Sequence, residues 1–188
     1  MVTRDLPDAL SRLRAVRTQR DLTSALALFD ELPPVAVNEM MGAWRGFGVD
    51  TGNPFDGLLE AYGWRGKRFD AADAAHPLVF EDARGAFSVD PAGLPLVFAI
   101  RHSALLRNRG VASAVRKIRR LRRTTAPKAR LRMIEYRGVV TGTMSYDALP
   151  INDHFRRVDD NTLLGAMDLR GLDAPFIFVL RRDGAGAL

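Results

Sequence analysis

The sequence predicts a mainly β protein with flanking helices, its strands closed into an antiparallel β-barrel. Three observations carry that expectation. Five runs between 130 and 182 read as strands parted only by short turns, which is the pattern of an antiparallel meander. The stretch "MMGAWRGFGVDTG" at 40–52 sets Gly42, Gly46 and Gly48 on one alternating face around Trp44, as a strand does where a bulky group comes close. Short amphipathic segments precede it. With about nine strands in all, closure is the economical way to leave no exposed sheet edge.

Leu6, Leu10, Leu13 and Val16 recur at helical spacing, as do Leu22, Leu26, Phe29 and Leu32, before Pro33 and Pro34 stop the chain. These helices form an N-terminal segment, 1–36, ahead of a single barrel domain, 37–188. After the glycine-rich first strand, "DTGNP" is a turn, and "FDGLLEAYG" is a short helix ending at Gly63. "WRGKRF", "PLVFE", "AFSV" and "LPLVFAI" then read as short strands that complete a first half, 37–100. In "GVASAVRKIRRLRR", 110–123, Val111, Val115, Ile118 and Leu121 share one side of a helix with Lys and Arg around the rest, inside a basic connection, 101–128. Runs at 130–136, 139–147, 151–158, 162–170 and 175–182 form the C-terminal meander, 129–188.

A chain of 188 residues is long enough to bury a sizeable core. The absence of cysteine excludes disulfides, thiol catalysis and thiolate metal ligation, and suits a reducing compartment. Charges stand at the N-terminus where a signal peptide needs an apolar core, and the longest uncharged run, Pro91 to Ile100, is too short to span a bilayer. A cytoplasmic location is expected. The net charge of +6 is local: twelve Lys or Arg and no Asp or Glu lie between Arg101 and Arg132, which leaves the remainder of the chain net acidic. A solvated helix face is the first reading of that segment. Contact with an anionic membrane through Arg116, Lys117, Arg119, Arg120 and Arg123 is the second. Nucleic acid is an unlikely partner, because no aromatic residue lies between Arg101 and Met133 to stack on a base.

The strand "GAWRGFG" resembles the first strand of the calycins, the lipocalins and fatty-acid-binding proteins among them, and is closer still to the GxWxGxG pattern of the nitrobindins. That resemblance implies a calycin-like barrel in which Trp44 closes the floor, Gly42 admits the close approach, and a basic side chain from the last strand, Arg182, stacks on the indole. A nitrobindin would also carry haem on a late histidine. No histidine follows His154, and neither His76 nor His102 sits in a matching motif, so no cofactor is expected. The three histidines lack metal-ligand spacing, and no metal is expected either. Over longer stretches, "FDELPPVAVNEMMGAWRGFGVDTGNPFDGLLEAYGWRGKRF" is similar to the GXWXG domain of bacterial and fungal proteins. "ARLRMIEYRGVVTGTMSYDALPINDHFRRVDDNTLLGAMDLRG" is similar to the domain of unknown function that accompanies it. This family brings no established activity.

The densest polar constellation is "SYDALPINDHFRR", 145–157. Alternation sets Tyr146, Met144 and Val140 on one face of their strand and Asp147, Ser145 and Thr143 on the other, while His154 and Arg156 share a face opposite Asp153 and Phe155. An Asp147–His154 pair could orient a general base, and Arg156 could hold a carboxylate. The leading expectation is a binding protein for an apolar or amphipathic small molecule such as a fatty acid. Trp44, Trp64, Met144, Tyr146, Asp147, His154, Phe155, Arg156 and Met167 are its candidate lining and mouth residues. An enzyme using Tyr146, Asp147, Asp153, His154 and Arg156 in acid–base chemistry is the alternative, and a membrane-surface protein acting through 101–132 is the third.

Overall fold

The computed structural model describes residues 6–93, 102–106 and 108–185, with the side chains at 6, 7, 103, 104, 109, 112 and 116–119 outside that description. The strand expected in "LPLVFAI" falls at 94–100, outside the described residues. Two helices open the chain, α1 (Leu6–Gln19) and α2 (Leu22–Glu31), and a 3-10 turn (Val37–Met40) leads into β1 (Gly42–Gly48). The short α3 (Leu58–Ala61) precedes β2 (Trp64–Ala71), β3 (Ala74–Asp82) and β4 (Gly85–Val89). The basic segment forms α4 (Ser103–Leu106), α5 (Arg109–Ile118), a 3-10 turn (Arg119–Arg122) and the two-residue β5 (Arg123–Thr124). Thus the helix expected through 123 ends five residues early and its last residue joins a strand. The meander follows as β6 (Ala129–Tyr136), β7 (Val139–Tyr146), β8 (Ile151–Asp159), β9 (Thr162–Leu169) and β10 (Phe176–Arg182).

All ten strands join one antiparallel sheet in the order β2-β1-β10-β9-β8-β7-β6-β3-β4-β5, and β2 also pairs with β3. The hydrogen-bonded order therefore returns on itself as a ring of eight strands, with β4 and β5 carried on the far half of β3. Two apolar layers result. Inside the ring lie Trp44, Trp64, Phe69, Phe155, Phe176 and Phe178, with Met40, Met144 and Leu180 among their neighbours. Outside it, Leu13, Val16, Leu28 and Phe29 of the helix pair cover Val158, Leu164, Ile177 and Val179. Strands β9 and β10 are thus buried on both faces, which is why "LLGAM" and "FIFVL" are continuous apolar runs instead of alternating ones.

The diproline does more than end α2. Strands β7 and β8 pair only between Thr143–Ser145 and Asn152–His154, then diverge. Residues 33–35 enter the gap: the Arg157 amide donates to Pro33 O at 2.9 Å, the Gly142 amide donates to Val35 O at 2.8 Å, and the Val35 amide donates to Thr141 Oγ1 at 3.2 Å. Proline suits this place, since its missing N–H has no ladder partner to lose at a strand edge. The wedge carries Val35 and Met40 into the ring's interior and so leads the chain to β1.

Candidate functional site

Strand β2 positions a buried lysine, Lys67, inside the ring. Counting from Trp64, strict alternation would turn Lys67 outward. Register shifts on either side of Gly66 change the parity, so Trp64, Lys67 and Phe69 are all buried. Gly66 makes that bulge with φ +149°, and a Cβ there would lie 1.9 Å from Trp44 O. The Trp64 ring then lies over Gly46, where any side chain would overlap it. The glycine of "GAWRGFG" therefore makes room for the second tryptophan.

Lys67 is 4% exposed and Asp153 is 1% exposed. Lys67 Nζ stands 2.7 Å from Asp153 Oδ2, 3.3 Å from Pro77 O and 3.5 Å from the Tyr146 hydroxyl. Aromatic rings complete the cage, with Nζ 5.1 Å from the Phe178 centroid, 5.5 Å from Trp64 and 5.7 Å from Tyr146. Asp153 comes from β8, between Met144 of β7 and Met167 of β9. Burial raises the Asp153 pKa against the opposing pull of Lys67. Burial, and then the adjacent Asp153 charge, hold the Tyr146 phenol well above its ordinary range. A proton can pass between Lys67 and Asp153 without changing the net charge of this apolar interior.

Beside the cluster is a cavity of about 90 Å³ with a largely apolar wall. Phe55, Leu59, Leu149, Met167, Phe176 and Phe178 form much of that wall, and Trp64, Lys67, Tyr146 and Asp153 also face it. Trp64 Nε1 and Asp153 Oδ1 are buried there without a hydrogen-bond partner among the described residues. Of the residues expected from sequence, Trp64, Tyr146 and Met167 thus meet at one cavity, while Trp44, Met144 and Phe155 are packed in the same interior without lining it. Trp44 and Arg182 are opposite one another on β1 and β10. The Arg182 guanidinium lies 4.3 Å from the Trp44 ring centroid and donates to Met41 O at 2.7 Å and Glu39 O at 3.1 Å, and Trp44 Nε1 donates to Met40 O at 2.7 Å. Gly42 lies under that guanidinium.

Three expected lining residues lie elsewhere. The β7–β8 register puts Thr143, not Asp147, opposite His154. Asp147, past the end of β7, is exposed and takes a 2.8 Å bond from Arg130. His154 turns to the outer face, with Nδ1 2.9 Å from Thr143 Oγ1 and its ring stacked on Tyr136 at 3.9 Å. Arg156, fully buried on that same face, lies 5.1 Å from the Phe29 ring centroid of α2. The acid–base cluster read from "SYDALPINDHFRR" is therefore divided between two faces, and the pair Asp147–His154 does not form. Lys67 was the functional candidate missed, because only the bulge at Gly66 brings it inside.

The remaining candidates have structural partners. Arg120 and Arg123 both pair with Asp82, and Arg123 also covers the Phe87 ring at 3.9 Å. Lys128, Arg130 and Arg132 pair with Asp90, Asp147 and Asp73, so the acidic remainder of the chain neutralises part of the basic segment. The side chains of Arg116, Lys117 and Arg119 fall outside the described residues. The interior does not fit a haem: His76 lies with Arg68 and Asp70, His154 faces outward, and His102 is exposed. No helix among the described residues is long and apolar enough to cross a membrane.

A ring of antiparallel strands with an aromatic interior, backed by a helix pair on its outer face, is the class of protein that these features define. The chain belongs to the GXWXG family: the GXWXG protein model matches residues 27–85, and the model of a domain of unknown function, DUF4334, matches 127–182. A crystal structure of a protein from Thermomonospora curvata is similar over 94% of this chain and 99% of its own, at 33% identity and a TM-score of 0.67. Comparison with functionally curated proteins gives no match.

Proposed function

We propose that the protein binds a small apolar or amphipathic molecule inside a calycin-like barrel, with the molecule's polar end at Lys67, Asp153 and Tyr146. The observation that carries this reading is the interior cavity, apolar except for one buried, mutually paired polar cluster. Ligand sites are commonly built this way, an apolar wall with a few convergent polar groups that set orientation. At about 90 Å³ the cavity favours a compact ligand. A fatty acid is longer, and its chain would enter only with displacement of the half-buried Leu59 and Leu149. The acid–base enzyme reading moves, with Tyr146 and Asp153, from the "NDHFRR" face to this interior cluster.

The test is ligand-observed saturation-transfer NMR on straight-chain alcohols and carboxylates of increasing length, on the wild-type chain and on Leu149→Trp, which fills the mouth. Transfer to short members, with a length cut-off, is expected for the wild type, and loss of it is expected in the variant. Equal transfer in both proteins would place binding outside the cavity and remove this reading.

A further inference from the structure

Resting on the interior-pocket reading, we propose that the ligand is a small aldehyde or ketone and that Lys67 binds it covalently as an iminium. The first ground is residue choice. Of 28 basic residues only three are lysines, Lys67, Lys117 and Lys128, and the rest are arginines. The cation paired with a buried carboxylate is thus a lysine in a chain that uses arginine nearly everywhere else. For holding a carboxylate, arginine is the better residue, with a planar fork that binds both oxygens. Lysine is the one that can give up its proton and become a nucleophile.

The second ground is the cage. Three rings surround Nζ within 5.7 Å and hold it out of bulk water, which protects an imine from hydrolysis. The third is proton traffic. Asp153 stands 2.7 Å from the ammonium as an acceptor, and the Tyr146 hydroxyl, 3.5 Å from Nζ, can donate to a carbonyl oxygen. Trp64 Nε1, buried on the same wall without a partner among the described residues, is a second donor for that oxygen. The cavity sets the size: a void of about 150 Å³ takes benzene, so this one takes a carbonyl compound of roughly four heavy atoms.

The chemistry balances. Lys67 gives one proton to Asp153, and its nitrogen lone pair attacks the carbonyl carbon. The C–N bond forms as the C=O π pair moves to oxygen, and one proton passes from nitrogen to that oxygen through Tyr146, giving a carbinolamine. Asp153 returns its proton to the hydroxyl, which leaves as water while the nitrogen pair makes the C=N bond. Ammonium and carbonyl have become iminium and one water, and the positive charge stays beside Asp153.

The experiment treats the full chain with propanal and sodium cyanoborohydride, then maps the reduced adduct by peptide mass spectrometry. Saturation-transfer NMR with propanal and with propan-1-ol, which has no carbonyl, runs in parallel. Label is expected at Lys67 about tenfold faster than at Lys117 or Lys128, as for an amine activated by its surroundings. Asp153→Asn should slow it, and the charge-preserving Lys67→Arg should abolish that adduct while the other two lysines still react. Labelling of Lys67 no faster than the others, with transfer to both compounds intact, overturns the covalent step and leaves the pocket standing. No transfer to either compound overturns the pocket and the covalent step together.

Discussion

A methyl group at position 66 would sit 1.9 Å from Trp44 O while holding a backbone φ of +149° that side-chain-bearing residues rarely adopt. Neither problem can be relaxed by a rotamer change, because the obstacle is backbone. Gly66→Ala is therefore expected to lose about 3 kcal/mol or more of stability in urea unfolding, through strain and loss of the bulge. A loss under about 1 kcal/mol would mean that β2 reaches its register another way. This residue also marks where sequence reading fails. Alternation separated Met144 and Phe155, which turn inward, from Thr143, His154 and Arg156, which turn outward, but Val140, assigned with Met144, is 52% exposed. In "WRGKRF" nothing in the letters distinguishes a bulged glycine from a paired one, so the sequence alone does not single out Lys67 as an inward side chain. A single extra residue inverts the parity of everything beyond it.

Strand β8 presents Asp153 and Phe155 to one apolar layer and His154 and Arg156 to the other, so its outer face is where the helix pair and the sheet are joined. His154 stacks on Tyr136, whose ring meets Phe29 of α2 edge-on at 6.0 Å. Burial pulls the His154 pKa down to about 4, with Asp168 opposing and the Arg156 charge reinforcing the shift; Arg137 and Asp30 form an ion pair nearby. A depressed histidine pKa means that the unfolded chain takes up the proton first. The stabilisation is complete above about pH 6.5 and is lost as pH falls towards 4, by up to about 3 kcal/mol. His154→Gln should unfold with a shallower loss of stability over that pH window than the wild type; parallel curves would show that His154 does not titrate there. The element boundaries of the meander were legible because short turns bracket runs of even length. What those elements join was not: Asp147 and His154 flank one hairpin turn, yet the register that separates them is set by where the 147–150 turn closes.

The ring closes through β1 against β10, elements at opposite ends of the chain, with Trp44 opposite Arg182. Removing β10 would strip Phe176, Phe178 and Leu180 from the interior and Ile177 and Val179 from the outer layer at once. A chain ending at Gly171 is accordingly expected to show no cooperative thermal transition and no near-ultraviolet dichroism from its tryptophans. Retention of either would mean that the remaining strands form a stable unit without closure. The same closure dictates a timetable. The wedge at 33–35 and the GAWRGFG strand are made before their partners: the wedge's partners are near 141 and 157, and the strand's second neighbour is β10. At ordinary rates of synthesis, Trp44 waits roughly seven to thirty seconds for Arg182. During that interval one edge of the glycine-rich strand lacks its partner, and the aromatic side chains that β10 covers stay open to solvent or to other chains.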